Sequence, residues 1–210
     1  MPLRDYYEEL WARLPDDLQP PELELRARLL RRELRPGDRV LDLGCGAGPF
    51  TGIAAGGGAG KVLGVDVAEA ALARARAAHP EIDFLLVPID GPLPLEDASF
   101  DLIWCSEVIE HIADTAAWLS EVRRVMAAGG RLLLTTPAHG RLRLLLGGVE
   151  AYSDPQGDHL HLYTARSLRR LLRDFEFAEV RVGAASGPPL LRRTLTARAV
   201  RPGVGVNRGK

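Results

Sequence analysis

The spacing of apolar positions changes along the chain. Over residues 21–34, Leu23, Leu25, Leu29, Leu30 and Leu34 recur near helical spacing, and Pro36-Gly37 ends the run. Residues 4–14 predict a shorter helix before it. Short apolar spans then take over. Arg39–Leu43, Val62–Val65, Asp83–Val87, Phe100–Cys105 and Arg131–Thr135 each predict a strand, and Phe100–Cys105 is apolar enough to be covered on both faces. Between them, Ala68–Ala78 predicts a helix stopped by His79-Pro80. Ala116–Ala127 predicts another, with Trp118, Leu119, Val122 and Val125 on one stripe and Gly129-Gly130 as its break. Strands alternating with helices at this spacing mean a parallel sheet joined by right-handed crossovers. Past Thr136-Pro137 the period lapses through residue 163, with a turn-rich stretch at Ser153–Gly157. A helix near 164–173 and strands near Phe175–Val182 and Leu195–Val200 follow. Arg201–Lys210, glycine-rich and basic, predicts a flexible tail.

Composition narrows the class. The 210 residues fit one domain over residues 1–200, and 46% hydrophobic with 26% charged residues exclude a disordered or fibrous chain. No apolar run approaches the ~20 residues of a membrane span. The acidic stretch after Met1 does not resemble a signal peptide, so a cytoplasmic protein is expected, with Cys45 and Cys105 as reduced thiols. A net charge of −1 argues against a strongly basic nucleic-acid binder. That figure averages −8 over residues 37–130 and +8 over residues 131–210. The positive segment keeps an anionic small acceptor, or less readily RNA, compatible with the chain.

The main chemical signal is Val40-Leu41-Asp42-Leu43-Gly44-Cys45-Gly46-Ala47-Gly48, which follows a buried strand and precedes a helix. Glycines there permit a tight turn and let a ligand approach backbone N–H groups at a helix N-terminus. Pro49 occupies the place of the third glycine of a dinucleotide fingerprint, and no Walker lysine follows. The string resembles the S-adenosylmethionine loop of class I, Rossmann-like methyltransferases over about residues 25–136. The resemblance implies a doubly wound, mostly parallel α/β sheet of seven strands with helices on both faces and the last strand antiparallel. It also implies that Asp42, Gly44, Cys45 and Gly46 face the methionine portion, with Asp42 toward its amino group. Asp66 would accept from the ribose hydroxyls, Val67 would lie beside the adenine, Ile89 and Asp90 would border that ring, and Ser106 would follow at the end of the fourth strand. S-adenosylmethionine would be the cofactor and S-adenosylhomocysteine the product.

Ser106-Glu107-Val108-Ile109-Glu110-His111 follows the fourth strand. A helical turn there would put Glu107, Glu110 and His111 on one face, at i, i+3 and i+4. Such a set suits a hard divalent cation, Mg²⁺ or Mn²⁺, better than zinc. The spacing resembles ubiquinone-biosynthesis O-methyltransferases and the enzymes that 2′-O-methylate small RNAs. In the latter a later histidine completes a metal site, and His159 in Asp158-His159-Leu160-His161 matches it. Without a metal, His111 is the candidate base and Glu107 a second catalytic candidate. The acceptor side is expected from the N-terminal helices within residues 1–36, where Tyr6, Tyr7 and Trp11 serve either packing or a lid, and from residues 137–163 with Arg141, Arg143 and Tyr152. The expected activity is methyl transfer to oxygen or nitrogen of a small acceptor by a monomer or homodimer. RNA 2′-O-methylation, a catalytically silent cofactor-binding partner protein and a nicotinamide oxidoreductase are the alternatives.

Overall fold

The computed structural model describes residues 3–15, 18–89, 91–139, 159–188 and 192–203. Two helices, α1 (Leu3–Arg13) and α2 (Leu23–Glu33), precede the sheet. Strand β1 (Arg39–Leu43) leads through the glycine loop into α3 (Pro49–Gly56). Then come β2 (Lys61–Asp66), α4 (Glu69–Ala78), β3 (Asp83–Leu86), β4 (Phe100–Ser106) and a single 3-10 turn at Ile109–His111. Helix α5 (Thr115–Val125), β5 (Met126–Pro137), α6 (Ala165–Asp174), β6 (Ala178–Ala185) and β7 (Thr194–Val200) complete the order.

The seven strands form one sheet in the order β3-β2-β1-β4-β5-β7-β6. Strands β1 to β5 pair in parallel, and β7 runs antiparallel to both β5 and β6. The expected doubly wound sheet with an antiparallel last strand is therefore present. Period-2 alternation explains why its strands read as continuous apolar runs. Leu41, Ile103, Cys105, Leu132 and Leu134 face a core shared with α5 and α6. Val40, Leu102, Trp104 and Leu133 face the opposite side, toward Leu30 of α2 and Phe50 and Ala54 of α3. Both cysteines are buried and free. Among the described residues, no helix is long and apolar enough to cross a membrane.

Two boundaries differ from expectation for long-range reasons. Gly129-Gly130 does not break a helix. Helix α5 has already ended, because Met126 turns extended and pairs with Phe100. The glycines belong to β5, where Gly129 N donates to Arg201 O and Arg201 N donates to Gly130 O. A Cβ at Gly130 would lie 2.8 Å from the Ala127 carbonyl oxygen, so the irregular strand needs glycine there. The strand expected from Phe175 starts at Ala178. Glu176 takes a left-handed φ of 58° that ends α6, and Phe177 then fills the core.

Polar contacts tie α2 to the sheet. Arg131 Nη2 lies 2.6 Å from Asp38 Oδ1, both side chains nearly inaccessible, and Arg131 also donates to the Glu33 carbonyl at the end of α2. Arg198 pairs with Glu33 at 2.8 Å and with Glu179 at 3.0 Å. Asp38→Ala would leave a buried guanidinium without its carboxylate, a loss of about 3–5 kcal/mol. Urea denaturation should show the fall in midpoint, whereas a shift within error would mean that water replaces the carboxylate.

Candidate functional site

A cleft of about 1330 Å³ opens where β1, β2 and β4 end, the position at which open α/β sheets bind ligands. Gly44, Cys45, Gly46, Asp66, Val67, Ile89, Ser106, Glu107, Glu110, His111 and His159 all line it. Asp90, Arg141, Arg143 and Tyr152 lie outside the described residues.

The loop is shaped by backbone conformation. Gly44, Gly46 and Gly48 have φ of 79°, 54° and 82°, a region that side chains rarely adopt. Gly44 N and Cys45 N both donate to the Val65 carbonyl of β2, at 2.9 and 3.0 Å. Gly46 N donates to Asp66 Oδ2 at 2.9 Å, while Ala68 N donates to Asp66 Oδ1 at 3.0 Å. Asp66 thus braces the loop and the entry to α4 together. Each of its oxygens keeps a lone pair for a further donor.

Asp42 sits deeper than the resemblance implies. It is fully buried, does not line the cleft, and accepts a 2.6 Å hydrogen bond from Thr51 Oγ1 of α3. Burial raises its pKa to about 7, against the lowering effect of Thr51 and with a smaller push from Asp66. Asp66 is also raised, chiefly by burial.

Helix α1 closes the cleft on the outer side. Tyr7, Leu10 and Trp11 line it, and a Cβ at Gly46 would meet the Trp11 ring at 2.8 Å. The helix is anchored to α4. The Glu8 carboxylate accepts from Glu69 N at 2.6 Å and Ala70 N at 2.9 Å, capping α4, whose own N-cap residue Ala68 has no side chain to do so. Arg74 donates to the carbonyls of Leu14 and Pro15, its guanidinium 5.9 Å from the Trp11 ring.

At the inner end, Glu107, Glu110 and His111 do not share a helical face. Glu107 stands at a left-handed φ of 56°, and only Ile109–His111 form a 3-10 turn. Glu107 Oε1 lies 3.1 Å from buried Arg26 of α2 and accepts from Thr135 Oγ1 at 3.0 Å. Thr135 also bonds Ser106 Oγ at 2.9 Å. Burial raises the Glu107 pKa against the lowering effect of Arg26. Glu110 is wholly buried and accepts from Thr136 Oγ1 at 2.9 Å through Oε2. Its Oε1 has no hydrogen bond among the described residues and lies 3.9 Å from His111 Nε2. Burial, then the charge of Glu107, pushes the Glu110 pKa up to about 8. Leu160 N and His161 N both donate to the Glu110 carbonyl, which brings the segment from His159 onto the turn. The His159 and His111 rings meet at 4.8 Å, and Tyr7 stands edge-on to His111 at 6.2 Å. Ligand atoms of Glu110, His111 and His159 lie within 4.8 Å of one another, and Glu107, the fourth residue expected with them, is not in this group. His161 turns away and bonds the Ile112 carbonyl at 3.0 Å.

Sequence reading missed Arg26, Thr51, Thr135 and Glu8, whose partners are chosen by the fold. It found the buried acids but not their linkage to stability. A carboxyl raised on folding favours the folded state at low pH and loses that contribution as pH rises through its folded value. Asp42 at about 7, Asp66 and Glu110 at about 8 share this sign. The ligand-free protein should therefore melt at lower temperature as pH rises from about 5 to about 8, and Asp42→Asn should reduce that slope. Thermal melts across this range are the check, and an unchanged slope in the variant would contradict the assignment.

Comparison with known proteins agrees with this geometry. A model of the methyltransferase domain family matches residues 8–182. The ubiquinone biosynthesis O-methyltransferase of Idiomarina loihiensis is 34% identical over 133 residues, covering 60% of this chain and 54% of that protein. The sarcosine/dimethylglycine N-methyltransferase of Halorhodospira halochloris is 30% identical over 169 residues, covering 74% and 57%. The chain spans about half the length of the curated relatives it matches. Among solved structures, an S-adenosylmethionine-dependent methyltransferase from Mesorhizobium loti superposes with a TM-score of 0.69 at 27% identity, over 85% of this chain and 100% of that one. A glycine loop braced by Asp66, a cleft at the ends of the parallel strands and a family match over most of the length lead to one conclusion: this chain belongs to the methyltransferase domain family.

Proposed function

We propose that the chain transfers a methyl group from S-adenosylmethionine to a hydroxyl oxygen of a small acceptor. The observation that carries this reading is the placement of Glu110, His111 and His159 in the same cleft as the braced glycine loop. The O-methyltransferase relative in ubiquinone biosynthesis supports oxygen over nitrogen as the acceptor atom. When bound, S-adenosylmethionine supplies a methyl group already activated on a sulfonium.

The chain's own residues bind, align and manage one proton. The loop at Gly44–Gly46 lines the cleft with side-chain-free backbone at both glycines, and the spare lone pairs of Asp66 suit ribose hydroxyls. Arg26 is a nearly inaccessible cation that lines the cleft, its Nε without a partner among the described residues. It suits the carboxylate of the cofactor's methionine end, with Glu107 beside it for the ammonium. Asp42, behind the loop, acts through Thr51 and the loop rather than by contact. His111 Nε2 lies 3.9 Å from Glu110 Oε1, and Glu110, in its ionised form, stabilises the imidazolium formed when His111 takes the acceptor proton. Tyr7 and Trp11 exclude water from the outer side.

A second reading rests on the same Glu110 oxygen. Glu110 Oε1 and the rings of His111 and His159 form a mixed oxygen and nitrogen donor set that fits a divalent cation such as Mg²⁺ or Mn²⁺. A cation there would lower the pKa of an acceptor hydroxyl. Glu107 is not part of this set, because it is engaged by Arg26 and Thr135.

The proposal is tested by assaying methyl transfer to catechols, hydroquinones, amines and small RNAs. Turnover on a hydroxyl acceptor is expected, and turnover on amines alone would overturn it. His111→Ala should lower kcat by about 10²–10⁴-fold, while the Kd for S-adenosylhomocysteine stays within a few-fold. Arg26→Met should do the reverse, weakening cofactor binding by about tenfold or more. Full turnover in EDTA supports the histidine as base. Loss in EDTA that Mg²⁺ or Mn²⁺ restores supports the cation.

A further inference from the structure

A second cavity of about 390 Å³ lies on the face of the sheet that carries α2, and no part of the proposed reaction uses it. The strand register explains its lining. Trp104 of β4 pairs with Leu133 of β5, Leu133 with Arg198 of β7, and Arg198 with Arg181 of β6. Residues in register share a face, so this row passes from a buried indole to an exposed guanidinium. Leu29 and Arg32 of α2 close the other side. The result is an apolar floor with a rim of Arg32, Arg181 and Arg198, on which Glu33 pairs with Arg32 and Arg198 and leaves Arg181 unmatched among the described residues.

Two features of the row are unresolved within the protein. Arg198 and Arg181 stand directly opposite each other, a repulsive placement for like charges. Arg198 is neutralised by Glu33 and Glu179, whereas Arg181 forms no ion pair among the described residues. At the floor, the indole Nε1–H of Trp104 is buried without a hydrogen-bond partner among the described residues. The adjoining row links the cavity to the cleft. Ser106 pairs with Thr135, Thr135 with Thr196, and Thr196 with Gly183. Ser106 lines the cleft, Thr135 lines this cavity, and the Thr135 hydroxyl holds Glu107.

We propose that this cavity is a second ligand site, for an amphipathic organic anion. An apolar or aromatic body lies against Leu29, Trp104 and Leu133, and its carboxylate, sulfonate or phosphate meets Arg181 and Arg32. The volume is within the range of small-molecule sites, about 300–1,000 Å³. The site stands whether or not the acceptor reading above is right.

The test uses the full chain saturated with S-adenosylhomocysteine, so that the cofactor's place in the cleft is taken, and 8-anilinonaphthalene-1-sulfonate as a fluorescent probe. The probe should bind, and Arg181→Glu and Arg181→Gln should each weaken it by about tenfold or more, the size of one charge-assisted contact. Gly183→Leu should abolish it. A Cβ at 183 meets only Thr196 Oγ1, at an ordinary 3.5 Å, so the strand accepts the side chain while the cavity fills. Circular dichroism should match the parent in all three variants and none should melt below it, with Arg181→Glu and Arg181→Gln relieved of the repulsion from Arg198. N-phenyl-1-naphthylamine, which lacks the sulfonate, should bind about tenfold or more weakly. Unchanged affinity in the Arg181 and Gly183 variants, equal affinity for the uncharged analogue, or loss of the probe on adding S-adenosylhomocysteine would each overturn the proposal.

Discussion

Each oxygen of Asp66 accepts from a backbone N–H group, one in the glycine loop and one at the entry to α4. That bridge fixes the distance between β1's loop and β2's helix, which form two walls of the cleft. Everything on the outer side depends on it in turn. Helix α4 presents the first-turn N–H groups that Glu8 caps, and Glu8 carries α1. Helix α1 sets Trp11 on Gly46 and Tyr7 beside His111. A short carboxylate at the end of one strand therefore orders a surface reaching from the loop to the candidate base.

Much of the fold was legible because the parallel strands write their burial into the sequence. Phe100–Ser106 is covered on both faces, so its apolar run needs no tertiary knowledge to find. The glycine loop was legible for a similar reason, since a left-handed backbone leaves glycine as its trace. Gly129-Gly130 misled because the same residue type serves a helix end or an irregular strand, and the partner that decides, Arg201, is more than seventy residues away. Glu107 misled because a positive φ at a glutamate leaves no mark in sequence. Arg26, Thr51 and Thr135 were silent until the fold brought Glu107 and Asp42 to them.

The acidic half of the chain places several of its carboxyls inside. Asp42, Asp66 and Glu110 are buried and held by hydroxyl or backbone donors, whereas Glu107, beside them in the cleft wall, has a cation, Arg26. Neutral donors cannot compensate the loss of hydration that ionisation requires, so these carboxyls sit above the ordinary range. The basic half is arranged otherwise. Arg131 is matched to Asp38 and so joins the two segments of opposite sign, while Arg198 is matched to Glu33 of α2 and to Glu179 within its own segment.

Arg198 also guards against misassembly. Because side chains alternate along a strand, sliding β7 by one residue past β5 would carry Arg198 to the face now filled by Leu195, Ala197 and Ala199. The slipped pairing would bury a guanidinium among leucines and strip Glu33 and Glu179 of their partner. The antiparallel strand that joins the parallel core to the sheet's edge is thus held in register by the penalty on every odd-numbered alternative.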